Sequence, residues 1–183
     1  MISVLPGTTI ETNLNETNIS NVILKNIFSA GGLVLSQVSQ LTGLEPYTVQ
    51  NWVKRGFLSP PQKKLYSKNQ FCRIVIINML KESLQIEKIT GLLSYINGHL
   101  DDESDDLIED SQLYNYFVNL IVTLGENTPD PERILNAMDG MLAGFTERVA
   151  GTKERLEKVL TVMLLAYYAS LLRKAAETAL PEI

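Results

Sequence analysis

The sequence contains one cysteine and one histidine in 183 residues, so most side chains that build metal centres, disulfides and nucleophile–base pairs are missing. Cys72 alone excludes an internal disulfide and a multi-cysteine metal site, and His99 alone does not supply the usual zinc ligands. The sequence has no Ser/His/Asp or Cys/His set and no phosphate-binding glycine loop. It therefore predicts no enzyme activity, no metal and no cofactor, and we interpret Cys72 as a core residue.

Long apolar runs are also missing, as is an N-terminal secretion signal. Residues 1–13 lack both a basic segment and a long apolar stretch. The longest apolar candidate, residues 159–172, is shorter than the roughly 18–20 residues that a membrane helix needs, and Thr161 and Ser170 interrupt it. We predict a cytoplasmic protein with no membrane contact.

The net charge of −5 is unevenly distributed along the chain. Residues 33–98 carry eight basic and three acidic side chains, whereas residues 99–183 carry seven basic and sixteen acidic ones. A basic segment beside an acidic one is typical of a nucleic-acid-binding module joined to a domain with another partner. The alternative is that charge varies along the chain without a functional reason.

The sequence does contain a pair of short helices between residues 35 and 56. Apolar residues recur at helical spacing from residue 35 to residue 41, and Gly43 can take the left-handed backbone that ends a helix. Pro46 suits the first turn of a second helix, on which Val49 and Trp52 face inward. Two short helices joined by a glycine turn predict a helix-turn-helix, whose second helix can enter a DNA major groove. The alternative is a helical hairpin that only packs.

The other faces of the second helix carry side chains that suit DNA. Gln and Asn can bond to adenine edges, Thr can reach bases or a thymine methyl, and Lys and Arg meet phosphate. The pattern predicts DNA contacts from Thr48, Gln50, Asn51, Lys54 and Arg55.

The order of residues from Ser36 to Ser67 resembles the MerR-type winged helix-turn-helix. The shared features are the turn glycine, Trp52, the run from Lys54 to Leu58, a proline pair and the Tyr66–Ser67 pair. More closely, the chain is similar to an uncharacterised group of bacterial proteins, a domain of unknown function with a MerR-like head. The resemblance implies that the second helix reads DNA and that a short β-hairpin wing grips the backbone. It assigns Lys63, Lys64 and Tyr66 to the wing.

Two positions depart from that family. Gln50 and Asn51 stand where MerR proteins most often have Arg and Tyr, which removes phosphate-gripping or stacking capacity. The departure keeps a second interpretation open, in which the winged fold serves as an interaction adaptor for a protein partner. An adaptor should show no salt-dependent affinity for DNA, whereas a DNA-binding regulator should show an affinity for DNA that depends on salt.

Residues 99–110 are predicted to be an acidic linker, because seven of the ten residues from Asp101 to Asp110 are acidic. A calcium loop needs alternating oxygen ligands and a glycine at the bend, and this run has neither. We interpret the run as solvated charge ahead of a helix that begins near Leu107, with a cation site as the alternative.

The predicted fold class is mainly α, with four regions. Residues 1–32 form an N-terminal arm and a short helix, and residues 33–98 form the winged helix-turn-helix head. The acidic linker follows, and residues 111–183 form a helical bundle for dimerisation or effector binding. We predict a homodimeric transcriptional regulator that binds double-stranded DNA. A small-molecule effector stays open, since the tyrosines of the bundle could line a pocket, although tyrosines at helical spacing more often take core and rim positions. These tyrosines are Tyr114, Tyr116, Tyr167 and Tyr168.

Overall fold

The structure is a computed structural model that describes residues 3–14, 18–100, 106–125 and 127–181. The described part of the chain is mainly helical, which confirms the predicted class. Its elements in chain order are β1 (Ser3–Val4), β2 (Glu11–Thr12), α1 (Ile19–Ile27), α2 (Leu35–Thr42), α3 (Pro46–Lys54), α4 (Lys68–Leu80), α5 (Ile86–Asn97), α6 (Asp110–Leu124), α7 (Pro131–Leu142) and α8 (Thr152–Thr178).

The N-terminal arm is a β-hairpin that packs on the helices. β1 and β2 pair antiparallel, and the Leu5 side chain after β1 is fully buried. The Tyr114 hydroxyl of α6 donates to the Pro6 carbonyl over 2.7 Å. Gly7 has a φ of +76°, and a Cβ there would lie 2.5 Å from the Met79 side chain. The arm can therefore approach α4 this closely only with glycine at that position.

Local signals set several helix ends. Gly43 follows α2 with a φ of +70°, and Pro46 is the first residue of α3, as predicted. Ser67 caps α4 by accepting from the Gln70 N–H at 3.2 Å, while the Gln70 side chain accepts from the Ser67 N–H at 2.9 Å. Asp130 caps α7 by accepting from the Arg133 N–H at 2.8 Å. These caps satisfy backbone groups that a helix end otherwise leaves unpaired.

The start of α6 differs from the prediction. The helix begins at Asp110 and not near Leu107. The preceding backbone is extended because the Ile108 N–H donates to the Asn97 side-chain oxygen at 3.4 Å. Residues 101–105 lie outside the described residues, so most of the predicted cation site does too. Elsewhere in the described chain, no group of three or more His, Cys, Asp or Glu side chains is arranged to hold a metal ion.

One continuous apolar core joins the predicted head and body. α4 lies at its centre and packs against α2, α5, α6 and α8. It is buried on every face along most of its length, which is how a central helix is built. Cys72 on α4 is fully buried, as predicted, and burial raises the pKa of its thiol, so the sulfur stays protonated and unreactive.

α8 is the longest helix and belongs to this core. By length and composition alone it is apolar enough to cross a membrane, but a core helix meets the same criteria. Its first half packs against α4, α5, α6 and α7. The buried apolar side chains of that half are Leu156, Val159, Leu160, Met163 and Leu164.

A buried ion pair ties the two halves of the core together. Arg73 on α4 and Asp110 at the start of α6 are 6% and 8% exposed, and Nη1 lies 3.3 Å from Oδ2. The Arg73 Nε also donates to the Phe57 carbonyl over 3.3 Å. The Asn97 amide donates to the other Asp110 oxygen over 3.1 Å. The pair thus joins four segments: the loop after α3, α4, the end of α5 and the start of α6.

We expect Asp110→Ala to lower the free energy of unfolding by about 3–5 kcal/mol, because it leaves a buried guanidinium without its counter-charge. The paired change Arg73→Met with Asp110→Leu should recover most of that loss, since no charge stays buried. Urea denaturation followed by circular dichroism measures both. Glu154→Ala is the control, because it breaks an exposed ion pair with Lys158 and should barely move the midpoint. An Asp110→Ala midpoint equal to that of the control would contradict the prediction.

Candidate nucleic-acid interface

α3 has one buried and one exposed face. Val49 and Trp52 are buried, as predicted, at 0% and 4% exposure. The opposite face carries exposed residues at helical spacing, and Thr48 is half-buried at its edge. Four side chains form this exposed face: Tyr47, Gln50, Asn51 and Lys54.

Tyr47 is a residue of this face that the sequence interpretation missed. It is 64% exposed, and it lines a concave surface with Thr48, Asn51 and Lys54. An exposed tyrosine offers a flat ring for stacking and a hydroxyl for hydrogen bonding. Its position three and four residues before Gln50 and Asn51 could have identified it, because that spacing puts all three on one face.

A tight turn projects two lysines beside α3. Gln62 and Leu65 pair across it, and the Leu65 N–H donates to the Gln62 carbonyl over 2.8 Å. Lys63 and Lys64 both have positive φ values, 50° and 65°, which makes this a two-residue turn of type I′. Such turns favour Asn-Gly, because left-handed backbone costs other residues about 1–2 kcal/mol each. Both lysines are exposed.

Tyr66 lies beneath this turn and not at its exposed tip. Its backbone pairs with Leu33 through two hydrogen bonds of 2.8 and 2.9 Å. The side chain is 3% exposed and belongs to the core. Burial raises the pKa of its hydroxyl, so the group stays a neutral hydrogen-bond donor. Tyr66 therefore lies below Lys63 and Lys64, and its predicted contact with DNA stays a prediction.

Gln50 and Val53 of α3, the start of α2 and the turn border one groove, of about 560 Å³, which we call the α3 groove. Gln50 and Lys64 therefore face the same depression. Its lining residues are Val34, Leu35, Ser36, Gln50, Val53, Pro61, Lys64 and Tyr66.

Further basic residues continue this surface away from α3. A second depression shares Pro61 with the α3 groove and is lined by Lys63, Gly32 and Ser67. A third depression shares Gly32 and Ser67 with the second and is lined by two more lysines. Each depression shares at least one lining residue with the next, so these lysines line three neighbouring depressions, which we call the basic strip. The two added lysines, Lys25 and Lys68, were not among the predicted site residues.

Arg55 is held by the protein itself. Its Nη2 lies 2.6 Å from the Glu87 carboxylate, at the start of α5, and its guanidinium lies 4.6 Å from the centre of the Phe57 ring. Both charged side chains are more than half exposed, so the pair is weak and open to competition. The predicted role of Arg55 on phosphate therefore requires it to exchange Glu87 for that phosphate. Glu87 is distant from Arg55 in the sequence, so the helical spacing of residues could not predict this ion pair.

Comparison with known proteins gives a family without an assigned function. The family described as "Domain of unknown function (DUF1836)" matches residues 8–117, from the N-terminal hairpin into α6. "Uncharacterized protein YkrK" of Bacillus subtilis (strain 168) is 32% identical over 84 residues, which are 44% of this chain and 36% of that protein. The chain thus spans about a third of the length of this curated relative. No solved structure matches the chain.

We expect the double change Lys63→Asn with Lys64→Gly to raise the free energy of unfolding by roughly 1 kcal/mol. Relief of left-handed strain, at about 1–2 kcal/mol per residue, exceeds the roughly 0.5–1 kcal/mol that glycine loses in backbone entropy. Urea denaturation measures the change. Lys63→Ala with Lys64→Ala is the control, because it removes the same charges and keeps the strain. The prediction fails if the two variants are equally stable.

Proposed function

The chain belongs to the DUF1836 family, and from that premise we propose that it is a sequence-specific DNA-binding transcriptional regulator with a MerR-like winged helix-turn-helix head. One observation carries the proposal: Gln50 on the exposed face of α3 and Lys64 of the turn line the same groove. A helix that reads bases and a basic loop that grips phosphate must face the same side of a molecule to meet one duplex.

In this proposal α2 and α3 are the helix-turn-helix, and α3 is the recognition helix. Gln50 and Asn51 each present an amide that can make two hydrogen bonds to an adenine edge. Lys54 lies one turn further along the same face and reaches phosphate. Val49 and Trp52 anchor the opposite face in the core, so the reading side chains stand on a rigid element.

The lysine turn acts as the wing and fixes the register of α3 on the duplex. Phosphate contacts carry no sequence information, but they position the protein and supply much of the affinity. Lys63 and Lys64 lie at the start of the basic strip, and Lys25 and Lys68 extend it. A strip of this kind follows the phosphate backbone beyond the bases that α3 reads.

The proposed regulator is a homodimer that uses the outer face of α8. Val162, Leu165 and Leu172 are 39%, 55% and 58% exposed and recur at helical spacing. A second copy paired on this stripe would double the DNA contacts and fix the spacing of two half-sites. The effector proposal has less support, because the hydroxyls of Tyr114 and Tyr168 donate to backbone carbonyls in the core.

An interaction adaptor is the second candidate, and the apolar character of the α3 groove favours it. Val34, Leu35, Val53 and Pro61 form much of the groove wall, and Leu65 on the adjoining turn is 40% exposed. Such a surface also suits a peptide from a protein partner. The two candidates differ in their response to salt, because only DNA releases counterions on binding.

The deciding experiment is fluorescence anisotropy of the full chain with labelled duplexes at several salt concentrations. We expect tighter binding to a fragment from upstream of the protein's own gene than to an unrelated fragment of equal length, with affinity falling steeply as salt rises. Gln50→Ala should change the preference between sequences, whereas Lys63→Ala should weaken binding to every duplex and reduce the salt slope by about 0.9. Absence of binding to all duplexes at low salt would favour the adaptor.

Glu87→Gln should strengthen binding to all duplexes, because it frees Arg55 for phosphate. The expected gain is roughly two- to fivefold in Kd, the range that an exposed ion pair of up to about 1 kcal/mol allows. Glu82→Gln is the matched control: it removes one acid that pairs with Arg173 on α8 and should leave affinity nearly unchanged. Equal affinities for the two variants would show that Arg55 does not meet DNA.

A further inference from the structure

The first turn of α2 has no capping side chain. Its N-cap residue is Val34, which has no side-chain oxygen to accept from the helix N–H groups. The Gln37 side chain accepts from the Val34 N–H at 3.0 Å and so satisfies the backbone before the helix. In the part of the chain that the structure describes, the N–H groups of Leu35 and Ser36 have no acceptor. Both residues line the α3 groove.

The hydroxyl of Tyr66 is the second unused donor of the same groove. Only 3% of Tyr66 is exposed, yet its hydroxyl makes no hydrogen bond to any described residue. The Tyr66 hydroxyl is not fully enclosed in the core. Among the described residues, the fully enclosed side-chain polar atom without a hydrogen-bond partner is Ser39 Oγ. A buried tyrosine normally finds a partner for its hydroxyl. Tyr66 lines the α3 groove, and its hydroxyl is the donor that it can offer there.

The charge around these donors is positive. Lys64 lines the groove from the turn, and the N-terminus of α2 contributes the positive end of the helix dipole. The Gln50 amide and the Ser36 hydroxyl add neutral donors. No acidic side chain is among the residues that line the groove. Free N–H groups at a helix start, a hydroxyl donor and an ammonium are the groups that bind a phosphate oxyanion.

We propose that the start of α2, Tyr66 and Lys64 form a phosphate seat that holds one phosphodiester of the bound duplex. The inference rests on the proposed function and makes it more specific. It names a contact with the DNA phosphate backbone, made across the α3 groove from the base-reading face of α3. We expect the seat to fix how deeply α3 enters the major groove, because two of its donor groups are the backbone of α2 and the core residue Tyr66, and only Lys64 is an exposed surface side chain.

The main test is Tyr66→Phe, which removes the hydroxyl and keeps the ring in the core. Kd for the operator duplex should rise roughly tenfold, as expected for loss of a hydrogen bond to a charged group. The salt slope should not change, because no charge is removed, and the urea midpoint should not fall, because no internal hydrogen bond is lost. Tyr168→Phe is the matched control: it deletes a hydroxyl that donates to the Gly125 carbonyl and should leave DNA affinity unchanged.

A second variant places a carboxylate of the protein itself in the phosphate seat. Val34→Asp supplies the missing cap, so its carboxylate should occupy the free N–H groups of α2, raise the urea midpoint and weaken DNA binding. Val34 is 41% exposed and tolerates the change. Val34→Thr caps without charge and should have the same two effects to a smaller degree. A purely structural position would not move stability and affinity in opposite directions.

The outcomes separate this inference from the proposed function. If the wild type binds duplex DNA and the Tyr66→Phe and Val34→Asp variants bind it equally well, the seat is wrong and the function stands. If the wild type binds no duplex, both fail. Inorganic phosphate is the probe for a free anion: protection of the wild type against heat, lost in Tyr66→Phe without any change in DNA affinity, would assign the seat to a small anion and overturn the phosphodiester.

Discussion

The buried ion pair between Arg73 and Asp110 is the constraint on which the rest of the structure depends. Each charge is costly to bury alone, so each fixes the backbone that supplies its partner groups. Through the Phe57 carbonyl the pair holds the loop that leaves α3, and through Asn97 it holds the end of α5. The direction of α3 relative to α6 therefore depends on one set of polar contacts. A change in the body that moved Asp110 would reach the loop after α3 through this pair.

α4 gives that polar junction its apolar surroundings. Because α4 is buried on all faces, helices of the head and helices of the body both pack on it. The DUF1836 match ends at residue 117, within α6, whereas the core continues through α7 and α8. Of these last two helices, α8 packs directly on α4, whereas α7 packs on α6 and α8. The candidate interface stands on this shared core, which suits a site whose side chains must keep a fixed geometry.

Features that depend on neighbouring residues could be predicted from the sequence, and those that depend on distant ones could not. Gly43, Pro46, Ser67 and Asp130 mark helix ends because backbone conformation and capping are local. The N-terminal hairpin was missed because its stability comes from Leu5 and from Tyr114, more than a hundred residues away. The start of α6 was misplaced because Asn97 and Arg73 set it through long-range hydrogen bonds. Glu87 was missed for the same reason.

Three departures from local rules occur around a single groove. Val34 leaves a helix start without a cap, Lys63 and Lys64 occupy left-handed backbone that glycine would occupy at lower cost, and Tyr66 buries a hydroxyl that has no partner among the described residues. The left-handed lysines cost stability, and Lys64 and Tyr66 line the same groove. Sequences selected for folding alone remove such conflicts, so those that persist tend to mark functional sites. Missing caps are not confined to this groove, because α1, α3, α5, α6 and α8 also lack a side-chain cap. It is the strained lysine turn beside the Tyr66 hydroxyl that supports an anionic partner there.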